Sequence, residues 1–221
     1  MAGYRFRGFS WTLVYVQILF LNACGGNGWT ERERTIISRS DSVMFVTTLA
    51  EDSAILRTPS KDVAPGELQS DELKTLMAKM LRTVTDPSQD GVGIAAPQVG
   101  INRRIIWVQR LDKDDEPFEC YVNVRVDSLY GETTHGREGC LSVPGYGGYV
   151  PRKTDVIISY ADLESGQTKK EHIEGYTAII FQHECDHLEG ILYVDKADSV
   201  FENQAWMEEL KQYEYRRPEW W

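Results

Sequence analysis

An α+β fold is predicted for this 221-residue chain on three observations. An amphipathic helical pattern comes early, short β-like runs separated by Gly-, Asp- and Pro-containing turns fill the middle, and a further helical segment follows them. The first helix begins after Ser70 in SDELKTLMAKMLRTV, where Leu73, Leu76, Met77, Met80, Leu81 and Val84 recur at helical spacing, with Ser70 placed to cap and Pro87 beyond the end. The strand candidates are residues 104–109 (RIIWVQ), 121–126 (YVNVRV) and 156–160 (VIISY), with 169–173 a weaker fourth. The second helix runs over 175–188 and is stopped by Gly190. A third helix is expected over 200–215, because Phe201, Ala205, Trp206, Leu210 and Tyr213 share one face.

The first 23 residues carry Arg5 and Arg7 ahead of the apolar run 11–21, which is short for a membrane span and suits a signal peptide. The following Leu21-Asn22-Ala23-Cys24 resembles the lipobox of bacterial lipoproteins. Cleavage before Cys24 would expose that cysteine for lipidation, with Gly25-Gly26-Asn27-Gly28 opening a tether over 24–50. The alternative is a cytoplasmic protein with an uncleaved or misassigned start.

A hydrophobic content of 42% and the chain length suit one folded domain. The formal charge of -10 repels phosphate backbones and argues against nucleic-acid binding. Four irregularly spaced cysteines without a CxxC pair exclude a disulfide scaffold and a zinc ribbon.

The second helix contains IIFQHECDHLEG, in which His183 and His187 lie four residues apart and stack on one face with Glu184 beside them. Such a pair can hold a cation through two imidazoles, and a third ligand must come from elsewhere. The HExxHxxGxxH extension fails, since Tyr193 occupies its last position. Glu208 and Glu209 lie at the distance of a downstream glutamate ligand but fit the solvated side of the third helix. Cys140, in GREGCLSVPG, is the better candidate: a thiolate with two imidazoles leaves an open position for water. A buried, inert cysteine is the alternative. In GVGIAAPQVG, residues 91–100, the glycines suit close approach of another backbone and Gln98 offers an uncharged donor.

Together, GVGIAAPQ, EGCLS and QHECDH, in this order and spacing, resemble the three signature motifs of the peptide deformylase family, and the likeness covers residues 54–198. The resemblance implies antiparallel sheets around a central HExxH-bearing helix, with the catalytic domain at 51–198 and a helix and tail at 199–221. It implies that Cys140, His183 and His187 bind one divalent ion, Fe(II) by family, with Zn, Ni or Co as substitutes. It further implies removal of the formyl group from N-formylmethionyl peptides or nascent chains by a usually monomeric enzyme. Glu184 would move the proton of the attacking water, and Gln98 and the Leu141 N–H would stabilise the oxyanion. Val92, Tyr176, Ile179 and Ile180 would line the methionine pocket, and the backbone of Gly93, Ile94 and Gly139 would pair with the peptide as an added strand. Asp186 is expected to pair with Arg152 behind the site, and Glu138 to close its rim without an evident chemical role.

Departures from the family pattern fall at Gly136, Arg137, Val124 and Gly147, and bear on substrate preference rather than on the reaction. Two other classes compete: an HExxH zinc endopeptidase and a non-catalytic lipoprotein with a relict metal site. The N-terminal signal predicts a membrane-anchored, extracytoplasmic location, which sits at odds with action on nascent chains.

Overall fold

The computed structural model describes residues 28–89 and 91–205. The expected signal at 1–23, Cys24, Glu208 and Glu209 lie outside those residues. Among the described residues, no helix is long and apolar enough to cross a membrane.

Among the described residues, four α-helices and six strands form the domain: α1 Glu31–Ser38, α2 Ser53–Arg57, α3 Asp71–Val84, β1 Gly93–Ala95, β2 Ile105–Gln109, β3 Phe118–Gly139, β4 Tyr146–Ala161, β5 Thr168–Glu174, α4 Gly175–Leu188 and β6 Ser199–Glu202. The strands pair antiparallel in the order β1-β2-β3-β4-β5, and β6 adds to the start of β4. The runs at 121–126 and 156–160 are parts of much longer strands. Beyond the apolar stretches these strands carry charged, glycine and threonine residues, whose ladder pairing gives no hydrophobic signal. Three register shifts bend the β3–β4 hairpin, letting one pair of strands serve both the core and the site.

Helix α3 starts where expected: the Ser70 hydroxyl accepts from Leu73 N–H at 3.1 Å, and Leu73, Leu76, Met80 and Val84 are buried. They face α1, β1 and a 3-10 turn at Ala96–Val99 in one apolar cluster. The segment read as a tether folds onto this cluster from Gly28 onward. Arg103 holds it through an ion pair to Glu33 (2.7 Å), a bond to the Gly28 carbonyl (2.6 Å) and a cation–π contact with Trp29. Trp29, Ile36, Ile37, Met44 and Val46 are all buried there.

A second cluster forms where α4 lies on the sheet, with Ala178, Ile180, Phe181, Cys185 and Leu188 against Ile106, Val108, Tyr121, Val156 and Ile173. Cys185 is a packing residue, as expected. Both ends of α4 carry glycine in the left-handed region, Gly175 at φ 65° and Gly190 at φ 73°. At Gly190 a Cβ would overlap the Arg57 carbonyl, which is fixed backbone. Gly190→Ala is therefore expected to destabilise the domain by about 2 kcal/mol or more, read as a lower urea midpoint at unchanged slope.

The expected helix over 200–215 is corrected at its start. Residues 199–202 form strand β6, Tyr146 pairing with Glu202 and Gly147 with Phe201. The i, i+4 placement of Phe201 and Ala205 mimics a helix. The free edge of β4, stripped of side chains at Gly147 and Gly148, supplies long-range hydrogen-bond partners that a local pattern does not reveal.

Candidate metal centre

Strand β3 ends at Gly139, and the turn into β4 begins with Cys140, whose carbonyl accepts from Val143 N–H. The turn directs the Cys140 side chain toward α4, where its Sγ lies 3.2 Å from His187 Nε2. The ligand atoms of Cys140, His183 and His187 all lie within 4.8 Å of one another, with Cys140 and His187 buried. Helical spacing brings the two imidazoles to 5.1 Å between centroids on one face. A second grouping, the half-buried Asp155 with the exposed His172 and Glu174, lies on the β4–β5 hairpin.

The donor set fits a borderline-soft divalent ion, since it joins one sulfur and two imidazole nitrogens. His183 is oriented for this by its other nitrogen: Nδ1 lies 2.8 Å from Glu138 Oε2, which leaves Nε2 to face the thiol. Glu138 is thus placed as a positioning residue, a role that sequence reasoning missed. It bridges His183 to Arg152, whose Nε and Nη2 donate to its two oxygens at 2.8 and 3.0 Å. Arg152 also donates to Asp186 at 2.6 Å, which is the expected pair. The signal available was the place of Glu138 in the same motif as Cys140, with an arginine following in the VPR segment. Burial alone would raise the Glu138 carboxyl, but the hydrogen bonds from His183 and Arg152 outweigh it and hold the group at about 2.

Glu184 points into the same space, 4% exposed, and its Oε2 has no hydrogen-bond partner among the described residues. Burial pushes its carboxyl up to about 7. Gly93 leaves room for it: a Cβ there would come within 2.5 Å of Glu184 Oε1. Within the chain, the absence of a side chain at Gly93 therefore lets the Glu184 carboxyl approach closely.

Gln98 is buried in the 3-10 turn, and its Oε1 accepts from Ala95 N–H at 2.8 Å. Its amide group is thereby turned to donate toward Cys140 Sγ (3.6 Å) and Ser142 Oγ (3.3 Å). Ser142, the last residue of EGCLS, was not singled out from the sequence. It is fully buried and ties this turn to the N-terminal segment by accepting Leu49 N–H at its carbonyl. The Leu141 N–H, beside Cys140, meets no protein acceptor among the described residues.

A cavity of about 300 Å³ opens over these groups. Its lining includes Val92, Gly93, Gly139, Tyr176, Ile179 and Ile180, together with Gln98, Cys140, Leu141, His183 and Glu184. Val92 and Tyr176 sit exposed at the mouth, whereas Ile180 also packs into the core under α4. The side chain of Ile94 is buried in the first cluster and does not line the cavity, so only its backbone is available there, which is the part expected to pair with the peptide. Strand alternation turns the side chain away from Gly93. Its backbone lies on β1, which pairs with β2 on one side and forms the sheet edge on the other, as strand addition requires.

His135, the histidine nearest Cys140 in sequence, is exposed and paired with Asp198, so it does not serve the thiol.

Residues 46–203 match the family model described as polypeptide deformylase. The peptide deformylase of Leptospira biflexa is 40% identical over 153 residues, covering 66% of this chain and 84% of the relative. A class I type b peptide deformylase from Acinetobacter baumannii, solved with Met-Ala-Ser bound, superposes with a TM-score of 0.62 at 38% identity, covering 70% of this chain and 98% of that one. The peptide deformylase of Synechococcus elongatus, solved with actinonin, gives a TM-score of 0.62 at 31% identity, over 81% of this chain and 93% of that one. Its sequence and fold both place the chain in the polypeptide deformylase family.

Proposed function

We propose that this protein hydrolyses the formyl group from N-formylmethionyl peptides, releasing formate and a free amine. The observation that carries the reading is the convergence of Cys140, His183 and His187 beneath an apolar cavity, with the buried Glu184 carboxyl beside them. A divalent ion held by these three side chains would supply Lewis acidity, lowering the pKa of a water and polarising the formyl carbonyl. Fe(II) is the ion proposed by family, with Zn, Ni or Co able to occupy the same sulfur and nitrogen set.

Glu184 takes the proton as the water oxygen bonds to the formyl carbon. A carboxylate raised by burial toward neutrality is basic enough to do so and acidic enough to return the proton. Gln98 Nε2 and the Leu141 N–H donate to the formyl oxygen as charge builds there. Glu184 then delivers its proton to the departing nitrogen as the C–N bond breaks. Val92, Tyr176, Ile179 and Ile180 receive the methionine side chain, and the free edge of β1 holds the peptide backbone. A single chain supplies every one of these groups.

Formate release from a short N-formylmethionyl peptide by the metal-loaded protein tests this reading; a folded, fully metallated protein that releases none would sink it. Cys140→Ser is expected to lose the bound ion together with the activity, measured by metal analysis after dialysis. Retention of the ion would favour an endopeptidase using Glu208 or Glu209.

We also propose that Cys24 is lipidated and that the domain acts outside the cytoplasm. Arg5 and Arg7 before an apolar run, then Leu21-Asn22-Ala23-Cys24, support this. The substrates there would be formylated peptides shed during secretion, and zinc would outlast an oxidisable Fe(II)–thiolate site. Recovery of the full-length, unlipidated protein from the cytosol would remove the proposal.

A further inference from the structure

Among the described residues, one arginine stands at the cavity wall without a counter-charge. Arg137 is exposed, lines the cavity and forms no ion pair among the described residues. Its neighbour Glu138 cannot neutralise it, because strand alternation sends that side chain the other way and both its oxygens are taken by Arg152 and His183. Arg137 is nonetheless held in place: its guanidinium carbon lies 5.1 Å from the centroid of the Phe201 ring. Phe201 owes its seat to Gly147, where a Cβ would come within 2.8 Å of the ring. Phe201 is carried by β6, whose pairing with β4 extends the sheet beside the site. Two departures from the family pattern, Arg137 and Gly147, thus serve one arrangement.

We propose that Arg137 is a specificity-determining residue, which favours formylated peptides carrying a carboxylate at the third residue. The proposal rests on the deformylase reading and names a preference within it. Arg137 lies three positions before Cys140, which follows the end of β3, a rise of about 10 Å at about 3.4 Å per residue. A peptide extended along the open edge of β3, its formyl carbon at the donor set, has the same rise and brings its third residue level with Arg137. The carboxylate can belong to an acidic side chain or to the C-terminus of a tripeptide. Because the contact is made equally in ground and transition states, it acts on KM rather than on kcat.

Formate release by the metal-loaded full-length protein is compared for three peptides: formyl-Met-Ala-Ser amide, formyl-Met-Ala-Ser free acid and formyl-Met-Ala-Asp amide. One or both acidic peptides should exceed the neutral amide in kcat/KM by about three- to fivefold, through KM, and the one that gains identifies the source of the carboxylate. The ratio should fall to about one in Arg137→Gln and below one in Arg137→Glu. Equal kcat/KM for all three peptides, or a preference that survives Arg137→Gln, overturns the assignment and leaves deformylation standing. No formate from any peptide overturns both.

Discussion

Glu184→Gln is expected to lower kcat by about 10²- to 10⁴-fold while leaving the bound ion and the fold in place. The amide keeps the shape and polarity of the carboxyl but can neither take a proton from water nor return one to nitrogen. The change is small sterically, which matters beside Gly93, where space is tight. Substrate binding through the apolar wall is untouched, so KM should move far less than kcat. The native protein should also show an acid limb in its rate profile, because below its pKa Glu184 is protonated and cannot act as base. Burial pushes that carboxyl up to about 7, and a divalent cation beside it would favour the charged form. The limb is therefore expected at or below about pH 7. Steady-state formate release from about pH 5 to 9, with metal content measured in parallel, checks both statements; a Glu184→Gln protein that retained native kcat would exclude Glu184 as the proton carrier.

The largest effect on stability is expected from Arg152→Ala. Arg152 is 3% exposed and neutralises two carboxylates at once, Glu138 and Asp186. Removing it leaves Glu138 buried with its charge facing only His183, while Asp186 keeps Lys196. Breaking a buried pair from one side costs about 3–5 kcal/mol. For a domain of this size that is a fall in Tm on the order of 10 °C. A loss below about 1 kcal/mol in urea unfolding would show that the network is solvated rather than buried. The pair also has a pH signature. Glu138 is held at about 2 in the folded protein, below its unfolded value of about 4.3, so its contribution is complete above the unfolded pKa. That contribution is lost as pH falls from about 4 toward 2, and Arg152→Ala should flatten the dependence there.

Much of this site was legible without coordinates because its parts are local. His183, Glu184 and His187 sit on one helix, and the i, i+4 spacing alone brings them together. Cys140 and Gln98 could be named from their motifs, although their contact with α4 is a long-range event. The core helices α3 and α4 were equally plain, since their terminal signals and apolar stripes lie within a few turns.

What the tertiary structure alone decided are the relations between segments distant in sequence. Glu138 became the link between His183 and Arg152 only when β3, β4 and α4 met, and nothing in its neighbours' chemistry announced that role. The extension at 28–50 packs into the core through Arg103, a residue 70 positions from Glu33. Phe201 was misread as helical because an i, i+4 pattern is compatible with either state, and the deciding term, hydrogen bonds to the bare edge of β4, is non-local. Periodicity and motif spacing report what a residue does within a turn or two of chain. Charge pairing, strand addition and burial across the fold depend on which segments the core brings into contact, and that follows from packing the whole chain.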